Sequence, residues 1–179
     1  MSAVPVRPAR GRGVQREPEA FRARLLTGTD WFKHYYTGER VAILATGSEA
    51  ASILPEVLHT AASVMVFEES PTWVTPVPVP LGPLRRTVSR IWLRASVPDA
   101  WTRRQLTPHK QFDGPHVTVS PSYYAALRDP RARLIHWPAY AIVANGVRCA
   151  DGVEYQADTI ILGATSRLAH STLPQGARS

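Results

Sequence analysis

The sequence is poor in the residues that build disulfide-stapled, metal-bound or membrane-spanning proteins. Its one cysteine, Cys149, excludes an internal disulfide framework and a cysteine-built zinc site. The six histidines are scattered, with no H-x-x-x-H pair, so the sequence predicts no metal site. No apolar run approaches the length that crosses a bilayer, and the first 20 residues lack the apolar stretch of a secretory signal. These absences predict a cytoplasmic protein in a reducing setting, with no membrane partner.

Positive charge is concentrated in two segments, and almost all of it is arginine. The net charge is +7, yet only two of the 21 basic residues are lysines. Six arginines lie within residues 1–24 and six within residues 85–104, and the rest of the chain is close to neutral. This bias, alongside abundant alanine and proline, is typical of a GC-rich coding background. We expect no specific nucleic-acid binding, and contact of residues 85–104 with nucleic acid or acidic surfaces is the weakest of three hypotheses.

Composition divides the 179 residues into four segments. Residues 1–38 read as a mobile arm and lead-in, with a short helix predicted over Phe21–Leu26. Residues 39–110 hold a βαβ unit, a proline-rich loop and an arginine-rich segment of one or two helices interrupted near Pro98. Residues 111–168 carry short strands, and residues 169–179 form a tail.

The clearest local pattern is a strand, a turn, a helix and a second strand between residues 40 and 69. Val41–Ala45 is a continuous apolar run, as expected for a parallel strand that is buried on both faces. Apolar residues recur at helical spacing from Glu49 to Thr60, where Pro55 predicts a kink or a break. Val64–Phe67 is the second strand. The pattern predicts an α/β fold with a Rossmann-like βαβ unit in a parallel sheet.

The last third has shorter elements. A helix is predicted over Pro121–Arg128 with Ser120 as its N-cap, followed by a strand over Arg133–His136. Three strands are then predicted at 140–143, 147–149 and 153–155. Asn145-Gly146 and Asp151-Gly152 separate them, and these dipeptides favour tight hairpin turns, so the sequence predicts an antiparallel meander. Thr159–Leu162 is a further buried strand.

The turn after the first buried strand is the candidate binding site. A dinucleotide-binding turn reads G-x-G-x-x-G/A, and residues 45–50 read A-T-G-S-E-A. Gly47 allows a pyrophosphate to approach the backbone, whereas Ala45 replaces the first glycine. Glu49 would repel phosphates unless it pointed to solvent. Glu68 follows Gly47 by 21 residues and ends the second strand, where an acidic residue takes the ribose hydroxyls. Any buried βαβ unit also needs small residues at its turn, so a purely structural role stays open.

Two stretches resemble the nucleotide domain of flavin-dependent Baeyer–Villiger and related flavin-containing monooxygenases. Residues 40–50, RVAILATGSEA, are similar to the family pattern RVAVIGTGATA, and residues 64–76, VMVFEESPTWVTP, are similar to VTVFQRSPNWVxP. Residues 122–127 and 158–165 resemble the family's SxxYYxxL and DxIVxATG stretches. The resemblance implies an oxidoreductase that uses FAD and a nicotinamide dinucleotide.

The departures from the family pattern change what the resemblance implies. No G-x-G-x-x-G for FAD precedes residue 40, and His116 stands where the family has its catalytic arginine. Glu68-Glu69 replaces the Gln-Arg pair that suits the 2′-phosphate of NADP, so any nucleotide is expected to be NAD rather than NADP. The flavin performs the oxygen chemistry. We therefore expect a truncated member that does not hold FAD or oxygenate substrate by itself, and whose partner chain would supply the FAD domain.

Two other hypotheses stand beside the binding of residues 85–104 to nucleic acid or acidic surfaces. The first is a nucleotide-binding half of a flavin monooxygenase; the second is a non-catalytic remnant or interaction module whose nucleotide site has decayed. No catalytic or metal-binding residue is assigned. The candidate cofactor-binding residues are Ala45, Thr46, Gly47, Ser48, Glu49, Glu68 and Glu69.

Overall fold

A computed structural model describes residues 23–68, 70–78, 82–108, 117–164, 166 and 168. The predicted arm up to residue 22 and the tail from residue 169 lie outside this range. The strands are β1 (Arg24–Thr27), β2 (Arg40–Ala45), β3 (Ser63–Glu68), β4 (Trp73–Thr75), β5 (Val117–Val119), β6 (Ala132–Ile135), β7 (Ala139–Val143), β8 (Gly146–Cys149), β9 (Glu154–Gln156) and β10 (Thr159–Leu162). The helices are α1 (Gly47–Leu58), α2 (Gly82–Ser96), α3 (Ala100–Gln105) and α4 (Tyr123–Ala126), with a 3₁₀ turn over Asp30–Lys33.

Five strands form a parallel sheet in the spatial order β1-β10-β2-β3-β6. The sheet is parallel throughout, and β10 enters between β1 and β2 although it comes last in sequence among the described strands. Ile43 lies opposite Val66 on one side and Ile161 on the other. Residues 41–45 are fully buried because helices cover one face of the sheet and other strands cover the opposite face.

Helix α1 packs on one face of the parallel sheet, α4 packs against α1, and α2 lies against α4 and β4. Alternate residues of β2 and β3, among them Ile43 and Val66, pack with the apolar side of α1 in this layer. Tyr123 and Tyr124 are almost fully buried there. The two-stranded parallel pair β4–β5 lies beside these helices.

The opposite face carries an antiparallel sheet of β7, β8 and β9. Its core contains Phe67 and Ile160 from the parallel sheet together with Val147 and Cys149 from the meander. The turn into β8 depends on Gly146, whose φ is +156° and where a Cβ would overlap the carbonyl of Tyr155. A glycine is therefore required by both backbone angle and space.

The predicted fold class is confirmed: a parallel sheet with a βαβ unit is joined by a separate antiparallel meander. The arginine-rich segment forms α2 and α3, and Pro98 lies between them as predicted. The three meander strands begin and end within one or two residues of their predicted bounds.

Three local predictions were wrong. The described part of Phe21–Leu26 is a strand, because Leu25 and Leu26 pack on opposite faces of the parallel sheet. Pro55 does not break α1, which continues to Leu58, and the alternative of a kink at Pro55 stays a prediction. Ser120 does not cap α4, whose N-cap is Ser122.

Ser120 explains how α1 accommodates its proline. Proline at position 55 has no N–H for the carbonyl of Ala51, four residues earlier. The hydroxyl of Ser120 donates to that carbonyl at 2.8 Å, in a buried position. A side chain from 69 residues further along the chain thus replaces the missing helical donor.

The aromatic group after β1 divides into two buried and two exposed rings. Trp31 and Tyr36 are buried, and the Tyr36 hydroxyl donates to the Trp31 carbonyl at 2.7 Å. Burial raises the pKa of Tyr36 to about 12. Phe32 and Tyr35 are exposed, so only half of the cluster contributes to the core.

Candidate nucleotide turn at the carboxyl edge of the parallel sheet

The candidate residues meet at the carboxyl ends of β2 and β3. β2 ends at Ala45, α1 starts two residues later at Gly47, and Ala45 lies in register with Glu68 at the end of β3. β3, which follows β2 in the chain, lies on one side of β2, and β10 lies on the other. This reversal of strand order is a topological switch point, and open α/β sheets bind ligands in the crevice that it creates.

Ala45 in place of the first glycine does not strain the turn. Ala45 is the last residue of a regular strand, and no non-glycine residue in the described ranges has a positive φ. The missing glycine therefore removes no backbone angle that this turn needs. Gly47 is buried, and its N–H donates to the carbonyl of Ser70 at 2.9 Å.

Glu49 does not point away from the turn. Its Oε2 accepts from the Thr46 backbone N–H at 3.3 Å and from the Thr46 hydroxyl at 3.0 Å. The same oxygen lies against Gly163, directly after β10, so closely that a Cβ built on Gly163 would overlap it. This is a capping box, in which a glutamate at the third helical position binds the backbone of the N-cap. The carboxylate therefore fills the crevice between the ends of β2 and β10.

Ser48 is exposed beside this contact, with its hydroxyl 3.3 Å from that of Thr46. Glu68 is placed one strand away from the turn by its register with Ala45. Glu69 and His116 lie outside the described residues. The structure thus brings the backbone of Ala45–Glu49 and of Glu68 to one edge of the sheet.

Two contributors to this edge escaped the sequence analysis. Ser70 supplies the acceptor for the Gly47 N–H, and Gly163 supplies the flat surface against which Glu49 rests. Gly163 continues β10 and donates its N–H to the Leu44 carbonyl at 2.8 Å. A glycine directly after a buried strand could have indicated that Gly163 lies at this edge, whereas no local pattern marks Ser70.

The one cysteine of the chain lies in the meander rather than at the turn. Cys149 is buried in β8, and burial raises the pKa of its thiol to about 11, which is typical of an unreactive thiol. Within the described ranges, no group of three or more His, Cys, Asp and Glu side chains is arranged to hold a metal ion. None of the helices in that part of the chain has the length and apolarity to cross a membrane.

Comparison with known proteins gives a consistent result. No family model matches the chain. A Baeyer–Villiger monooxygenase of Pseudomonas aeruginosa is 24% identical over 199 aligned residues, which cover 88% of this chain and 38% of that protein. A Baeyer–Villiger monooxygenase of Streptomyces coelicolor is 22% identical over 81% of this chain and 36% of its own length. An FAD-binding monooxygenase of Aspergillus niger is 24% identical over 79% of this chain.

The chain is similar in sequence to Baeyer–Villiger and FAD-binding monooxygenases. It spans 38% and 36% of the length of the two bacterial relatives. Solved structures share the fold: a steroid monooxygenase bound to NADP gives a TM-score of 0.68 at 16% identity, covering 80% of this chain and 42% of its own. A cyclohexanone monooxygenase of Rhodococcus bound to NADP⁺ gives a TM-score of 0.67 at 14% identity, over 83% of this chain and 43% of its own.

The turn fits a dinucleotide in its backbone but not in the present position of one side chain. Small residues at 45, 47 and 50 and the switch-point crevice are what a diphosphate needs. Against this, Glu49 places a carboxylate on the Thr46 N–H and over Gly163. An anionic ligand could not share that position with the carboxylate.

Proposed function

We propose that this chain is the nucleotide-domain part of a flavin-monooxygenase-like oxidoreductase and binds a nicotinamide dinucleotide at the turn of residues 45–49. The observation that carries the proposal is the position of this turn at the switch point of a five-stranded parallel sheet. The similarity to Baeyer–Villiger and FAD-binding monooxygenases supports it. So do structures of the same fold that were determined with NADP.

Each proposed contact has a definite chemical role. The start of α1 would face the diphosphate with its dipole, and Gly47 would let the backbone approach it. Thr46 and Ser48 would offer hydroxyl donors beside the phosphates. Glu68, with Glu69 after it, would accept from the ribose hydroxyls, which favours NAD over a nucleotide that carries a 2′-phosphate.

The chain is not proposed to oxygenate a substrate by itself. When bound, the nicotinamide supplies hydride and the flavin activates dioxygen, so a chain holding only the dinucleotide would need a flavin-binding partner. The partner proposed here is a polypeptide that carries the FAD domain. A purified sample of this chain that is yellow with bound flavin would contradict this part of the proposal.

The second candidate function is a non-catalytic module whose nucleotide site has decayed. The observation that favours it is the Glu49 carboxylate in the crevice. In that case the βαβ unit serves only as a folding core.

Titration with NADH and with NADPH, followed by calorimetry or nucleotide fluorescence, separates the two candidates. We expect saturable binding with NADH favoured over NADPH. Gly47→Asp, which adds bulk and charge at a buried position, and Glu68→Ala should each weaken it about tenfold or more. Glu56→Ala is the matched control, because Glu56 is exposed on α1 two turns from the site. No binding at millimolar nucleotide would support the decayed module instead.

A further inference from the structure

Glu49 combines three contacts that place a negative charge where a bound diphosphate would need to be. Its carboxylate accepts from the Thr46 N–H at 3.3 Å and the Thr46 hydroxyl at 3.0 Å, and it rests on Gly163. The Thr46 N–H is an amide of the turn that in a dinucleotide-binding fold faces phosphate. Gly163 closes the same crevice from the side of β10.

The position of Glu49 is unusual when residues 40–50 are set against the monooxygenase pattern RVAVIGTGATA. The pattern has threonine where this chain has Glu49, and the two agree on Thr46 and Gly47. A threonine side chain is too short to reach back across the crevice and carries no charge. Glu49 therefore places a charged side chain in the crevice where the pattern has a short neutral one.

The Glu49 carboxylate competes with a ligand because it already satisfies the groups that a diphosphate would bind. A glutamate at the third helical position stabilises the helix start through its bond to the N-cap backbone and through the helix dipole. A diphosphate would use the same amide and the same dipole. The two anions cannot occupy the crevice together, because like charges a few ångströms apart repel each other.

We infer that the Glu49 carboxylate is an internal occupant of the diphosphate position, so that the turn binds a dinucleotide only after this side chain has left. The inference rests on the proposed function, since it concerns the same crevice. Glu49 is partly exposed, which gives it a route out to solvent. Nucleotide binding by the natural chain is therefore weakened in two ways. Glu49 must give up its bond to the Thr46 backbone, and its charge repels the diphosphate.

Three variants test the inference with NADH and with inorganic pyrophosphate as probes. Glu49→Thr restores the residue of the family pattern, Glu49→Gln keeps the shape without the charge, and Glu56→Thr removes a charge from an exposed position on the same helix. Affinity is measured by calorimetry, and a thermal-shift assay gives a second readout that needs no activity. We expect Glu49→Thr to bind NADH at least about tenfold more tightly than the natural chain. Glu49→Gln should lie between the two, and Glu56→Thr should match the natural chain.

The outcomes separate this inference from the proposed function. Tighter binding by Glu49→Thr supports the inference, whether the natural chain binds weakly or shows no binding at all. In the latter case the natural chain is the decayed module. Equal binding by the natural chain and Glu49→Thr would overturn the inference and leave the proposed function standing. No binding by either would overturn both.

Discussion

At the scale of single residues, Ser120 supplies the hydrogen-bond donor that Pro55 removes from α1. The Ser120 hydroxyl donates at 2.8 Å to the Ala51 carbonyl, which Pro55 cannot satisfy. We predict that Ser120→Ala lowers the free energy of unfolding by about 1–3 kcal/mol, because it leaves a buried carbonyl without a donor. Denaturant titration measures the change.

A double-mutant cycle makes the Ser120 prediction specific. Pro55→Ala restores an N–H four residues after Ala51, so Ser120→Ala should cost clearly less in that background. Ser52→Ala is a control on the same helix, since the Ser52 hydroxyl is exposed and only 3.4 Å from the Ser48 carbonyl. Equal costs of Ser120→Ala with and without Pro55 would contradict the explanation.

Asp158 links β10 to the start of β2 and should make the free energy of unfolding depend on pH in the acid range. Its carboxylate accepts from the Arg40 side chain at 2.8 and 3.0 Å and from the Arg40 backbone N–H at 2.9 Å. These bonds lower the pKa of Asp158 to about 2. The bonds between Asp158 and Arg40 contribute fully to the free energy of unfolding above about pH 4, the usual pKa of an unfolded aspartate. This contribution is lost as the pH falls towards 2.

We predict that Asp158→Asn lowers the free energy of unfolding at pH 7 by about 0.5–1 kcal/mol. The effect is small because the Arg40 and Asp158 side chains are nearly half exposed and water screens their charges. The variant should also flatten the fall in stability between about pH 4 and about pH 2. Unfolding titrations across that range are the measurement. Asp30→Asn, which removes one member of an exposed pair 3.8 Å from Lys33, should change neither quantity. A natural-chain profile that is already flat would refute the assignment.

At the scale of elements, the meander depends on two glycines that differ in their surroundings. Gly146 has a φ of +156° and meets the Tyr155 carbonyl, whereas Gly152 has a φ of +80° and no neighbour within 4 Å of a built Cβ. We predict that Gly152→Ala costs about 1–2 kcal/mol of backbone strain. Gly146→Ala should cost more, because overpacking of about 1–3 kcal/mol is added.

Chemical denaturation of both glycine variants would rank the costs, and amide chemical shifts of β7, β8 and β9 would report local disruption. The ranking would be wrong if Gly152→Ala were the more damaging change. It would also fail if the shifts of Gly146→Ala were confined to its immediate neighbours.

At the scale of the whole molecule, the parallel sheet joins segments that the sequence analysis treated as separate. β1 comes from the lead-in, β2 and β3 from residues 39–110, and β6 and β10 from residues 111–168. The predicted segment boundaries stay a prediction. Helices pack on one face of this shared sheet and the meander on the other, so losing the sheet should release both layers together.

We therefore predict one cooperative unfolding transition. Far-UV circular dichroism follows the helical layer, and pulse labelling of the Cys149 thiol, which is fully buried in the meander layer, follows the other. The two denaturation curves should have the same midpoint. Separate midpoints would indicate that the helical layer and the meander layer unfold independently.

The sequence was sufficient for the elements whose signals are local. A continuous apolar run gave β2, helical spacing gave α1, and Asn145-Gly146 and Asp151-Gly152 gave the hairpin turns, since each depends on neighbouring residues alone. It failed at β1, where pairing with β10 converts a helix-like segment into a strand. It also failed at Pro55, where Ser120 supplies a donor that no nearby residue could.

The same division applies to the candidate turn. The sequence alone determined that a βαβ unit with small residues at its turn is present and that Glu49 would conflict with phosphate. The bonds of Glu49 to Thr46 are local, but only the tertiary structure placed the carboxylate against Gly163, because Gly163 reaches the turn through the pairing of β10 with β2, more than a hundred residues away in sequence. Local patterns specify backbone shape, whereas the contents of a crevice between two strands depend on which distant strand forms its other wall.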